Sequence, residues 1–125
     1  MSTSSDEIAR GKRELLRHAV ATLAYRGAKA IRHAPPALAD FKAGDTTRTP
    51  VQIVAHMGDL LDWALSLAQG KQRWRVAQPG AWEQESERFF AALTRFDAFL
   101  ASDEPLGCSL EPLLQGPVAD ALTHV

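Results

Sequence analysis

Alanine and leucine fill 36 of the 125 positions, whereas valine and isoleucine together fill only 9. Small and straight-chain apolar residues lose little side-chain freedom in a helix, while β-branched ones are held to fewer rotamers and favour strands. The apolar content is thus spent on helix formers, and the expected class is all-α. At this length, with 46% hydrophobic and 23% charged residues and a net charge of -1, residues 1–125 suffice for a single domain around one core. That balance excludes a disordered tail and a strongly basic nucleic-acid binder. No apolar run approaches the roughly 18 residues of a membrane span, and Met1 to Arg10 is polar, without the apolar centre of a signal peptide. The expectation is a cytoplasmic protein with neither membrane nor nucleic acid as partner. A lone cysteine, Cys108, allows no internal disulfide and no cysteine-rich metal cage.

The helices can be placed from their apolar spacing. Leu15, Ala19, Leu23, Gly27 and Ile31 recur every four residues, with Leu16 and Val20 widening the stripe, which predicts one amphipathic helix from Ser4 to about His33. Ser4 and Glu7 have capping-box spacing, and Pro35-Pro36 ends the segment. A second helix starts at Thr49-Pro50-Val51-Gln52, with Thr49 as N-cap, Pro50 in the first turn and Gln52 as the reciprocal partner. Ile53, Met57, Leu60, Leu61, Ala64, Leu67 and Ala68 form its apolar face, and Gly70 offers a left-handed stop. A third helix is expected from about Ala81 to Ala101, its stripe being Trp82, Phe89, Phe90, Leu93, Phe96 and Leu100. Leu106 to Gln115 reads as an irregular connection, and Gly116-Pro117 as the start of a short fourth helix.

Four histidines are the main candidates for chemistry. His18 and His33 lie on the polar side or end of the first helix and read as solvated. His56, three residues after Ile53 and four before Leu60, flanks the apolar stripe and points at a neighbouring helix. A histidine there is either a hydrogen-bonded core residue or a ligand. Asp120 and His124 form an i, i+4 pair on one helix face, close enough to hold one ion or simply to contact each other in solvent. By the helical wheel, Val118, Ala121, Leu122 and Val125 lie roughly opposite that pair, so the pair faces either a cleft or water. Asp59 could orient the His56 imidazole or lie at the surface, and Trp63 could line a cleft or join the core. Lys71, Arg73, Trp74 and Arg75 mix basic and aromatic character as a single-strand nucleic-acid surface does, but four residues in one turn make a poor electrostatic footprint. No Ser-His-Asp or Cys-His constellation can be drawn, so no catalytic residue is assigned.

The pattern as a whole resembles the DinB-like family of metal-binding four-helix bundles. The resemblance lies in the long first helix, the run from Thr49 to Leu61 that carries His56, the phenylalanine-rich third helix, and the closing segment from Gln115 to Val125. It implies an up-and-down four-helix bundle with one metal-ligating histidine on the second helix and an H-x-x-x-H pair on the fourth. His56 and His124 match the first and last positions, and Asp120 stands where the middle histidine is expected. Two imidazoles and a carboxylate with open positions suit zinc, nickel, iron or manganese. The family pattern continues several turns beyond His124, so the resemblance also implies a fourth helix cut short, with dimerisation covering the apolar faces left open.

Two functions follow from this. One is a metal-dependent hydrolase or thiol transferase acting on an unidentified small molecule. The other is a metal-free helical module for oligomerisation or partner binding, with His56 as a satisfied core residue.

Overall fold

The buried face of the first helix, α1 (Ser4–Arg32), is the line Leu16, Val20, Leu23, Gly27 and Ile31. This is the predicted stripe with one correction: Leu15 is 70% exposed, and its neighbour Leu16 takes the core position. Ser4 already has helical backbone rather than capping the helix. The computed structural model describes residues 4–74, 76 and 78–125, with Pro36 described in its backbone only.

Helix α2 (Pro50–Ala68) begins as its sequence predicts. The Gln52 amide donates to Thr49 Oγ1 at 3.3 Å and the Thr49 amide to Gln52 Oε1 at 2.8 Å, completing the capping box. It ends on Gly70 at φ +74°. The Lys71 amide reaches the Ser66 carbonyl at 2.8 Å and the Gly70 amide the Leu67 carbonyl at 3.0 Å, the paired bonds of a Schellman stop. Helix α3 (Trp82–Ala101) buries Phe89, Phe96 and Phe99. The sequence pattern had placed Phe90 in that trio; instead Phe90 is half-buried beneath the Arg32 guanidinium, 4.7 Å from its ring centroid.

The fourth helix departs most from expectation. It starts at Leu110 and not at Gly116-Pro117, running through an α-helical turn Leu110–Leu113, a π-helical segment Leu114–Val118 and a final α-helical turn Ala119–Thr123. We call this joined helix α4. Pro117 therefore lies inside it, fully buried, rather than at its start. Proline cannot donate to the carbonyl four residues back, and its ring crowds that carbonyl. The wider π turn accommodates it, with the Ala119 amide bonding the Leu114 carbonyl.

Together these make an all-α, up-and-down four-helix bundle whose helices run in the order up, down, down, up. Cross-helix bonds give the directions. Arg13 of α1 donates to the Phe99, Ser102 and Glu104 carbonyls at the end of α3, so α1 and α3 are antiparallel. Arg88 reaches the Ala55 carbonyl and Arg95 reaches Asp62, both across 33 residues, so α2 and α3 run the same way. Lys12 pairs with Glu111 at 2.6 Å, which sets α4 parallel to α1. Helices α1 and α2 each pack against α3 and α4 and face one another across the diagonal.

The parallel α2–α3 pair matters for function. The chain between them must travel back along a 19-residue helix, about 28 Å at 1.5 Å per residue. Among its described residues, Trp74 stands against His56 and Trp63, and Val76, Gln78 and Pro79 share a pocket wall with Gln52 and His56, so it is laid along the side of α2.

Candidate metal centre

Helix α2 and the last turns of α4 pack antiparallel, which brings three side chains distant in sequence to one place. His56 Nε2 lies 3.9 Å from Asp120 Oδ2, and His124 Nε2 lies 3.2 Å from Asp120 Oδ1. The two imidazole rings stand edge to face with centroids 5.0 Å apart. One ligand atom from each residue can be chosen so that all lie within 4.8 Å of one another. Around an ion with bonds of 2.0–2.2 Å, adjacent ligand atoms are about 3–3.5 Å apart. The Asp120–His124 pair already meets that spacing. The widest separation must close by about 1.5 Å, which is within the reach of side-chain rotation. The donor set and its spacing thus fit a divalent transition metal. Of the two members of the pair, His124 is half-buried beside His56, while the Asp120 carboxylate is exposed.

The surroundings favour the neutral, ligating form of His56. Burial is the largest influence and lowers its pKa; the Arg48 and His124 charges lower it further, against an opposing pull from Asp120 and Asp59. A neutral imidazole keeps the lone pair that a metal needs. Trp74, on the stretch that crosses back along α2, stands edge to face with His56 at 6.3 Å and with Trp63 at 5.5 Å. Trp74 thus walls one side of the cluster, with Trp63 behind it. Trp63 Nε1 is buried without a hydrogen-bond partner among the described residues, beside a cleft of about 620 Å³ that Trp63 helps to line.

Asp59 does not orient His56. Its carboxylate, with the side chain only 10% exposed, is bound at 3.0 Å by Arg88 of α3. Arg88 is the organising residue that sequence reasoning missed. Its guanidinium donates to Glu85 at 2.9 Å, Asp62 at 3.2 Å and the Ala55 carbonyl at 2.8 Å as well. Glu85 in turn accepts from the Gly80 amide at 2.9 Å. Burial alone would raise the Glu85 pKa, but the Gly80 amide and Arg88 outweigh it and hold Glu85 below the usual carboxylate range. Burial dominates at Asp59 and raises its pKa despite Arg88. The network closes around Gly58, where a Cβ would lie 2.9 Å from Arg88 Cζ. The i, i+3 spacing of Glu85 and Arg88 was the one local signal for it.

The remaining candidates are scattered. His18 and His33 are exposed on or beside α1. Cys108 is half-buried and its thiol is pushed up by that burial, away from reactivity. Lys71 and Arg73 are exposed, Trp74 folds back onto Trp63 and His56, and Arg75 lies outside the described residues. No helix among the described residues is long and apolar enough to cross a membrane. No family model, curated protein or solved structure matches the chain.

Proposed function

We propose that the chain is a divalent-metal-binding helical bundle of DinB-like type, in which His56, Asp120 and His124 hold one zinc, nickel, iron or manganese ion. The convergence of one carboxylate and two imidazoles from helices more than sixty residues apart carries this reading. Surface ion pairs rarely bring two imidazoles together, because once protonated they repel. When bound, such an ion supplies a Lewis acid able to activate a coordinated water or thiol, the chemistry of a hydrolase or thiol transferase. The protein's own part is to keep His56 neutral, to place a carboxylate between the two imidazoles, and to shield one flank with Trp74 and Trp63. We place this activity in the cytoplasm, on a small-molecule substrate.

Metal analysis of untagged protein, beside His56→Ala, tests the reading. The expected result is about one equivalent of metal in the native chain and essentially none in the variant. Equal, negligible metal in both would end it.

One observation favours a role in oligomerisation. Ile8 is 59% and Leu15 70% exposed, and their seven-residue spacing puts both on the outer face of α1. A homodimer through that face would cover them. Light scattering across a concentration series, with Leu15→Glu as control, decides this: dimerisation abolished by the substitution supports it, and a monomer at every concentration rules it out.

A further inference from the structure

A second pocket, of about 300 Å³, opens on the flank of the metal cluster and has His56 in its wall. Gln52 and Gln78 line it too, as does Arg48, one residue before the cap of α2. Gln52 spends only its carbonyl oxygen on the capping box, so its amide protons stay available. Arg48 makes no side-chain hydrogen bond or ion pair among the described residues. The other charged group of the lining, Asp59, is already bound to Arg88.

The pocket thus has one committed anion, one uncommitted planar cation and two amides. Counting about 30 Å³ per water, it has room for roughly ten waters, or a small organic molecule of a similar number of heavy atoms. A guanidinium offers five donors in a fork that matches a carboxylate or phosphate, and such charge-assisted bonds are stronger than neutral ones. His56, one of the three cluster residues, and Arg48 both line this pocket, so one small ligand could meet the two together.

We infer that the substrate is a small organic acid whose metal-facing group binds at the His56–Asp120–His124 cluster while a second, anionic group is held by Arg48, with Gln52 and Gln78 donating alongside. This rests on the metal reading above. Arg48 is then a specificity-determining residue: it selects ligands with a negative charge remote from the reacting end.

Cobalt(II) in place of the native metal makes the test spectroscopic. Cobalt is first titrated alone into the native protein and into Arg48→Gln, following visible absorption. The loaded proteins are then titrated with succinate and with succinamate, which share one carboxylate and differ in whether the far end is charged. Succinate is expected to bind the native protein about tenfold more tightly than succinamate. In Arg48→Gln, compared with the native protein at saturating cobalt, the two should fall within about twofold. The native preference should also shrink at 0.5 M sodium chloride, since Arg48 is exposed to screening. Cobalt binding without a preference for succinate, or a preference that survives in Arg48→Gln, overturns this inference and leaves the metal reading standing. Failure of the native protein to bind cobalt overturns both.

Discussion

Arg88 joins two helices through four acceptors, and its own position depends on the absence of a side chain at Gly58. Replacing a helical glycine by alanine ordinarily stabilises by about 1 kcal/mol. Here the new methyl would meet a guanidinium fixed by Glu85, Asp59, Asp62 and the Ala55 carbonyl, so Gly58→Ala is expected to destabilise. In an Arg88→Ala background the same substitution should become stabilising, and chemical denaturation of the four proteins reads this reversal of sign. Arg88→Ala alone should cost about 3 kcal/mol, because it leaves the mostly buried Asp59 and Glu85 without their cation. The pH dependence follows from Glu85. Its pKa is lower in the folded than in the unfolded chain, so its contribution is present above the ordinary carboxylate value and is lost as pH falls through the lowered one. Glu85→Gln should therefore flatten the loss of stability on acidification below about pH 4.5, measured as denaturation midpoint against pH. An unchanged slope would mean that Glu85 contributes nothing to it. None of this was legible in the sequence beyond the Glu85–Arg88 spacing, because the other partners of Arg88, Ala55, Asp59 and Asp62, all lie on α2.

What could be read in advance was the local chemistry of helix ends. Thr49 and Gln52 bond each other within four residues, and Gly70 stops α2 through bonds to its own last turn, so no tertiary contact is needed to identify either. Thr49→Ala should cost about 1 kcal/mol in denaturation with an unchanged slope. The start of α4 was misplaced for the converse reason. Gly116-Pro117 has the chemistry of a helix beginning, and only the burial of Leu110, Leu113 and Pro117 against the rest of the bundle draws it into a helix already under way. The π turn is the accommodation. It places one more residue in the helix than an α ladder would, and it lets the ladder pass Pro117. Deleting the exposed Gln115 should restore an α-helical register and force Pro117 into it, at a cost of about 3 kcal/mol. Combining the deletion with Pro117→Ala should recover most of that stability. Equal stability of the two deletion proteins would show that the proline is not what the π turn accommodates. The candidate site shows the same division between local and distant information: the Asp120–His124 pairing is visible as an i, i+4 spacing, whereas its meeting with His56 depends on the antiparallel packing of α2 and α4.

At the scale of the molecule, the cluster links the helices that least resemble each other in support. Helix α2 is capped at both ends and packs along α3, while the last turns of α4 are short and reach the bundle chiefly through Val118 and Ala121. An ion held by His56, Asp120 and His124 would tie that weaker end to the stronger helix. Because metal bound only by the folded chain stabilises it by mass action, about 2.7 kcal/mol at a hundredfold excess over Kd, loading should raise the unfolding midpoint, and chelation should reverse this. The effect should also be uneven. Amide exchange in residues 119–124 should slow markedly on metal binding, whereas the amides of Phe89 and Phe96 in the fully buried core, which open only with global unfolding, should follow the global stability alone. His124→Ala should abolish both responses while leaving the metal-free protein close to native stability, since its half-exposed ring contributes little to the core. If metal raises the midpoint equally in His124→Ala, the ion sits elsewhere and the clamp between α2 and α4 is refuted.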